Sequence, residues 1–341
     1  MNREATIYDI AERLNISAAT VSRGLKDHPA INKETKKRIA AVAHELGYRS
    51  NKFASNLRGQ RTHTIGVIVP RLNSLFMSSV LAGIETVVNE SGFNILISQS
   101  LEQQAKEKSN AITHFNNRVD GLITSLSYET EDFSHFDSFI QKKIPLVFFD
   151  RVPDTINATK IVLDNLKAGY EATKHLIGQG CRDIVHITGN LKRNVYRDRL
   201  QGYRNALEEN GIPFAEHRCI SNDLSEQAMA DCIHNRIFNV SQLPDALFIA
   251  NDSSAAFAIS ILKEQGYRIP QEIAIVGFNN DLISKVTEPA ITTVNYPGYQ
   301  MGQHAARLIL NDISGQNDAN VSSTVILNPE LIIRKSSLKQ S

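Results

Sequence analysis

From Thr64 onward, short continuous apolar runs rich in β-branched residues alternate with amphipathic stretches. The runs at 64–69, 93–98, 119–124, 145–149, 184–187, 245–250 and 273–278 predict strands. The stretches at 76–90, 103–116, 133–142, 166–179, 199–210, 226–239 and 253–265 predict helices between them. Such strands alternating with helices indicate parallel sheets covered on both faces. About 280 residues of this pattern exceed what one sheet usually takes, so two α/β lobes are expected. Before Thr64 the texture differs. Three short helices are predicted: Ile7 to Leu14 behind Thr6, Ala18 to Leu25 behind Ser17, and Lys33 to Leu46 behind Asn32, the last ended by Gly47. Only Asn15 and Ile16 separate the first two, which makes a helix-turn-helix. Ile7, Ile10, Ala11, Leu14, Ile16, Val21, Leu25, Ile39, Val42 and Leu46 can converge on one small core.

Composition changes this picture little; charge distribution changes it more. With 42% apolar residues, 21% charged residues and a net charge of +1, the chain is an ordinary globular protein. Its longest apolar runs, such as 65–70, fall well short of the ~18 residues of a membrane span. No apolar stretch follows Met1-Asn2-Arg3-Glu4, so no secretory signal is expected. Cys181, Cys219 and Cys232 lack C-x-x-C spacing; reduced, buried thiols in a cytoplasm are expected, and no metal or cofactor. Residues 1–61 hold twelve Lys and Arg against six acids, whereas the remainder holds 25 bases and 30 acids. A basic head on a mildly acidic body points to a polyanion partner.

The run Thr6-Ile-Tyr-Asp-Ile-Ala, then Ser17-x-x-Thr-Val-Ser-Arg23, and the basic third helix ending Glu45-Leu46-Gly47-Tyr48 resemble the DNA-binding segment of the LacI/GalR family of bacterial transcription regulators. The resemblance continues to the end of the chain. It implies a helix-turn-helix domain (1–49), a hinge helix (50–61) and a two-lobed periplasmic-binding-protein-like core for effector binding and dimerisation (62–341). The residues agree with it. The start of the second helix, which enters the major groove, carries Ser17, Ala18, Ala19, Ser22 and Arg23. Arg23 can bond guanine O6 and N7 together, and the two alanines can touch thymine methyls. By resemblance 18, 19 and 23 are base-reading positions. Thr6, Tyr8, Ser17, Thr20, Ser22 and Asn32 carry groups that bind phosphate oxygens. The resemblance adds Asn51, Ala54 and Leu57 of the hinge, with Leu57 as a wedge between base pairs. Two departures stand out. Asn15 replaces the family's Gly in the turn, where Asn also tolerates a left-handed conformation, and Ser50 stands where the family usually has Pro.

Enzyme motifs are absent: no G-x-x-x-x-G-K-[ST], G-x-G-x-x-G after a strand, G-x-S-x-G or H-E-x-x-H occurs, and the ten histidines show no metal spacing. Polar residues instead gather after predicted strands, where open α/β sheets bind ligands: Asp150, Asn251, Asp252, Asn279 and, shortly after its strand, Arg199. These groups suit vicinal hydroxyls, though strand-end polar residues also serve as caps. The resemblance places Asp150, Arg199, Asn251, Asp252 and Asn279 in or around the effector cleft, with Arg193 as a further position and Phe76 as a wall. Asn279 stands where many members have Asp. With no Trp in the chain, stacking would fall to Phe76, Tyr196 or Phe278. The expectation is a dimeric cytoplasmic regulator, acting as a repressor on a pseudo-palindromic double-stranded DNA operator and sensing a sugar or sugar derivative. Alternatives are a nucleobase, nucleoside or phosphoprotein coregulator, a sugar-binding transport protein, or an α/β enzyme fused to a DNA-binding head. The tail after Arg334 has no leucine heptads for a coiled coil.

Overall fold

The computed structural model describes residues 5–48, 61–239, 243–316 and 322–339. The chain divides into two compact units between Thr62 and His63. In the first, α1 (Ile7–Leu14), α2 (Ala18–Leu25) and α3 (Lys33–Glu45) surround fully buried Ile10, Val21 and Ile39. Their ends follow from local chemistry. Ser17 Oγ accepts the Thr20 N–H at 3.1 Å, and Asn32 Oδ1 accepts the Thr35 N–H at 2.7 Å. Asn15 leaves α1 at φ +54°, the left-handed turn expected of it. Gly47, at φ +62°, lets the Tyr48 N–H return to the Ala43 carbonyl at 2.8 Å, which terminates α3. Ser50, Asn51, Ala54 and Leu57 lie outside the described residues.

The second unit holds two six-stranded sheets. The first runs β2 (Asn94–Gln99), β1 (Thr64–Val69), β3 (Gly121–Thr124), β4 (Leu146–Phe149), β5 (Thr159–Leu163), β11 (Thr324–Leu327), all parallel. The second runs β7 (Cys219–Ser221), β6 (Ile184–Thr188), β8 (Ala246–Ile249), β9 (Ala274–Asn279), β10 (Thr292–Asn295), β12 (Glu330–Ile332), with only the β10–β12 pair antiparallel. The central strands β3, β4, β6 and β8 are buried along their whole length, which explains their unbroken apolar texture.

Nine helices among the described residues cover these sheets: α4 (Leu75–Glu90), α5 (Gln104–Asn116), α6 (Asp137–Gln141), α7 (Asn165–Gly178), α8 (Asn194–Glu209), α9 (Glu226–Cys232), α10 (Asp252–Glu264), α11 (Leu282–Val286) and α12 (Gly298–Ser314). The chain passes between lobes three times, from β5 to α7, β10 to α12 and β11 to β12. No helix among the described residues is long and apolar enough to cross a membrane.

Several details differ from the sequence pattern. The stretch 133–142 is a 3-10 turn (Ser134–Phe136) followed by α6, because His135 turns inward to buried Glu107 at 2.9 Å. The stretch 226–239 is α9 followed by a wider π turn at Ile233–Ile237. Five strands (β5, β7, β10, β11, β12) and two helices (α11, α12) lay outside the expected set. Helix α12 hides from a periodicity argument because its contact face is built largely of Gly298, Gly302, Ala305 and Ala306. Cys181 and Cys232 are buried as expected, while Cys219 is only half-buried.

That small-residue face has a consequence for stability. A Cβ on Gly302 would lie 2.0 Å from the Val80 carbonyl oxygen, so α12 and α4 meet backbone to backbone. Gly302→Ala should therefore cost at least ~1–3 kcal/mol, as overpacking does. Gly178→Ala, with nothing within 4 Å, is the control and should not destabilise. Urea unfolding of both variants checks this; equal midpoints would refute the contact.

Candidate functional site

Each unit carries its own candidate surface. On the helical unit, Ala19, Ser22 and Arg23 share one face of α2, away from buried Val21 and Gly24, and Ala18 is half-buried at its start. The exposed Arg23 guanidinium has no hydrogen-bond or ion-pair partner among the described residues. By contrast Arg13 pairs with Glu45 at 2.9 Å, and Lys36 with Asp27 at 2.7 Å, which holds the Asp27 carboxyl below its ordinary pKa. Ser17 and Thr20 share one hydroxyl bond of 2.9 Å, so one hydroxyl hydrogen of the pair remains free. Asn32 spends its oxygen on the cap and keeps its amide hydrogens. Tyr8 is 67% exposed. Thr6 corrects the expectation: its N–H and hydroxyl both donate to Asp9 Oδ2 at 2.6 Å, leaving no donor for a phosphate.

In the larger unit a cleft of about 420 Å³ opens between the lobes. It lies at the C-terminal ends of the strands, where an α/β sheet gathers ligands. Asp150 follows β4 in a left-handed conformation (φ +59°). Tyr296, from the segment between β10 and α12, donates to its Oδ1 at 2.5 Å. Burial raises the pKa of this carboxyl against the pull of neighbouring Arg151. Phe76 of α4 stacks on the Tyr296 ring at 4.2 Å. Arg151 donates to Glu102 at 2.7 Å and lies 4.1 Å from the Tyr128 ring centroid. Tyr128 in turn shares a hydroxyl bond of 2.6 Å with Tyr196 of the other lobe.

Arg199 of α8 donates from Nε to Asn165 (2.8 Å) and from Nη1 to the Ala250 carbonyl (3.1 Å), with its guanidinium 3.4 Å from the Phe278 ring centroid. Its backbone is also held. A Cβ on Gly169 would lie 2.2 Å from the Arg199 carbonyl oxygen, so α7 and α8 touch directly. Asn251 caps α10 through the Ser254 N–H at 2.7 Å, and Asn279 donates to Asp281 at 3.2 Å. No histidine or cysteine is among the lining residues, so the wall holds no Ser–His or Cys–His pair for covalent catalysis. Carboxylates, amides and guanidinium groups beside aromatic faces form a binding wall instead.

Residues 6–51 match the model of the lacI family of bacterial regulatory proteins, and residues 173–337 match a periplasmic binding protein-like domain. The ribose operon repressor of Haemophilus influenzae is 31% identical over 334 residues, covering 97% of this chain and 98% of that protein. The chain belongs to the LacI family. Another relative, the HTH-type transcriptional repressor CytR of Escherichia coli K12, is 30% identical over 335 residues, covering 97% of this chain and 96% of its own. Among solved structures, the lac repressor dimer bound to operator and the anti-inducer ONPF matches with a TM-score of 0.82 at 25% identity, covering 98% of this chain and 100% of that one.

In this LacI-family protein Phe76, Asp150, Arg199, Asn251 and Asn279 line the cleft, as does Tyr196. Arg193 and Asp252 do not. Arg193 is buried and donates to the Thr130 carbonyl at 2.6 Å, bridging the lobes beside the cleft. Asp252 is fully buried and accepts the Asp281 N–H at 2.8 Å, so it braces the loop after β9. Phe278 is also fully buried and serves as a platform for Arg199 rather than a wall. Glu102, Tyr128 and Tyr296 were missed. Tyr296 was legible in principle, because the β-branched run Ile291-Thr292-Thr293-Val294 ends just before it.

Burial pushes the Asp252 pKa up to about 7 from 3.8. The folded protein then holds this proton over a range where the unfolded chain has lost it. Stability from this group is fully present below pH 3.8 and lost as pH rises through about 7, by up to about 4 kcal/mol. Asp252→Asn keeps the acceptor for Asp281 and removes the charge. The variant should gain on wild type in urea unfolding at pH 8 and not at pH 4; a difference independent of pH would refute the assignment.

Proposed function

We propose that this protein is a homodimeric, effector-controlled transcription repressor of the cytoplasm that binds a pseudo-palindromic operator. The observation that carries the reading is the pairing of an exposed Arg23 on α2, without a partner among the described residues, with a polar interlobe cleft in one LacI-family chain. One short recognition helix reads few base pairs, so two heads are needed for a specific site. Arg23, Ala18 and Ala19 face the bases, while Tyr8, the Ser17–Thr20 pair, Ser22 and Asn32 meet phosphates. The hinge residues Asn51, Ala54 and Leu57 remain assigned to the minor groove by resemblance.

The effector is a sugar or sugar derivative held by Phe76, Asp150, Arg199, Asn251 and Asn279. Its binding favours one arrangement of lobes joined by three crossovers, and the shift in operator affinity cannot exceed its differential affinity for the two arrangements, ~1–3 kcal/mol of coupling. A transport protein on the same fold has no use for the basic helical head, and the relatives named above are repressors. The test is capture of genomic fragments on the purified protein at moderate salt. A shared pseudo-palindrome upstream of a few operons is expected; random fragments both with and without a metabolite extract would overturn the reading.

A further inference from the structure

We infer that the segment 190–196, where the second lobe runs into α8, is a clasp that fastens the two lobes together and so weights the equilibrium between their arrangements. Buried Glu107 is its positioning residue, because it shapes the loop that the clasp grips. The inference rests on the reading of the lobes as a two-arrangement switch. It goes beyond that reading by naming protein groups that favour one arrangement through direct bonds of their own.

The bonds are concentrated in this one segment. Asn190 Nδ2 donates to the Tyr128 carbonyl at 2.9 Å, and Arg193 Nη2 donates to the Thr130 carbonyl at 2.6 Å. Asn194 Nδ2 donates to the Asp150 carbonyl, and its Oδ1 accepts the Val152 N–H, both at 3.0 Å. The Tyr196 hydroxyl shares its 2.6 Å bond with Tyr128 and accepts from Arg151 Nη2 at 3.4 Å. Arg193, Asn194 and Tyr196 are each only 6% exposed, so water competes little for these bonds. Lys192 also pairs with Glu131, but those side chains are 64% and 65% exposed, and such a pair contributes little. Tyr196 folds back over the start of the segment because Gly189 has no side chain; a Cβ there would lie 2.6 Å from the ring.

Most of the acceptors are backbone carbonyls, so the grip depends on the shape of the loop that carries them. Residues 125–131, after β3, belong to no strand or helix. A buried side chain holds them instead. Glu107 of α5 is fully buried, and its Oε2 accepts the Ser127 N–H at 2.7 Å. Its Oε1 accepts the Thr130 hydroxyl at 3.0 Å and faces His135 Nε2 at 2.9 Å. A carboxylate only accepts, and donors converging on it fix the Tyr128 and Thr130 carbonyls where Asn190 and Arg193 reach them. Rotation of the lobes about their crossovers would pull the two sides of the clasp apart. Its bonds therefore belong to one arrangement, and an effector acts on a population already weighted by them.

The Val152 amide reports the clasp, because its hydrogen is held by Asn194 of the other lobe. Its hydrogen exchange is followed by NMR on the full chain, with the Val67 amide in the centre of the first sheet as the measure of global unfolding. Arg193→Met keeps the stem and removes the donor, so Val152 exchange should rise roughly 10- to 150-fold with Val67 unchanged. Tyr128→Phe and Tyr196→Phe should each raise it about two- to tenfold. Their effects together should fall short of the product, since one shared bond is lost. Glu107 makes no bond to Val152, so a rise of about threefold or more in Glu107→Gln is what positioning requires. Thr130→Val, which removes one bond to Glu107 and keeps the gripped carbonyl, makes the same test if Glu107→Gln fails to fold. Wild-type Val152 exchange in Arg193→Met and in the double tyrosine variant overturns the clasp, as does Val67 exchange that rises in step with Val152. A rise in those variants but in neither Glu107→Gln nor Thr130→Val overturns the role of Glu107. A released clasp with unchanged affinity for the captured operator overturns its regulatory weight; the repressor reading then stands, because genomic capture decides that separately.

Discussion

Arg23→Ala should abolish most of the preference for the operator over random duplex. Each bidentate arginine–guanine contact is worth ~1–3 kcal/mol of discrimination, and a dimer loses two, so operator affinity should fall by roughly 30- to 20,000-fold. Arg23 is exposed and has no partner among the described residues, so its removal should leave the helical unit folded. Arg23→Lys separates charge from geometry. It keeps the phosphate attraction and loses the planar fork, so it should retain non-specific binding and its salt dependence while losing specificity. Fluorescence anisotropy on operator and scrambled duplexes at two salt concentrations reads both quantities. Equal losses on the two duplexes would remove Arg23 as a base reader.

The second large effect concerns Arg199. Arg199→Lys keeps a cation on α8 but cannot span Asn165, the Ala250 carbonyl and the Phe278 face together. Effector affinity should fall by roughly 10- to 150-fold, the order expected when a fixed, charge-assisted hydrogen-bond donor worth ~1.5–3 kcal/mol is lost. Operator binding without effector should stay within a few-fold of wild type. A thermal melt beside the binding curves distinguishes the two roles of this residue. Lost response in a variant that melts like wild type marks a ligand contact. A lowered melting temperature with intact effector affinity would make Arg199 a packing residue and refute its assignment.

How far the sequence could be read depended on where the information sits. The caps of α1, α2 and α3, the left-handed Asn15 and the Gly47 terminus are short-range chemistry, set by residues three or four apart. They were legible. So were β1, β3, β4, β8 and β9, whose apolar runs reflect burial on both faces. The missed strands β7, β10 and β12 are three or four residues long, and β11 is half exposed, so none has enough apolar length to stand out. Helix α12 escaped for the opposite reason, since close backbone packing selects glycine and alanine rather than large apolar side chains.

The sequence by itself determined the basic helix-turn-helix head, the two-lobed α/β body and five of the residues on the cleft wall. Each is encoded locally, as a motif, a burial pattern or a polar residue at a strand end. Only the tertiary structure decided which of those polar residues face the cavity. It turned Arg193 to Thr130 and Asp252 to Asp281, and it brought Tyr296 onto Asp150 across 146 positions of chain. It also paired Arg151 with Glu102, and that pairing sets the charge a ligand would meet. Whether a side chain is free or spent is a property of its partners, and partners distant in sequence meet only when the chain folds.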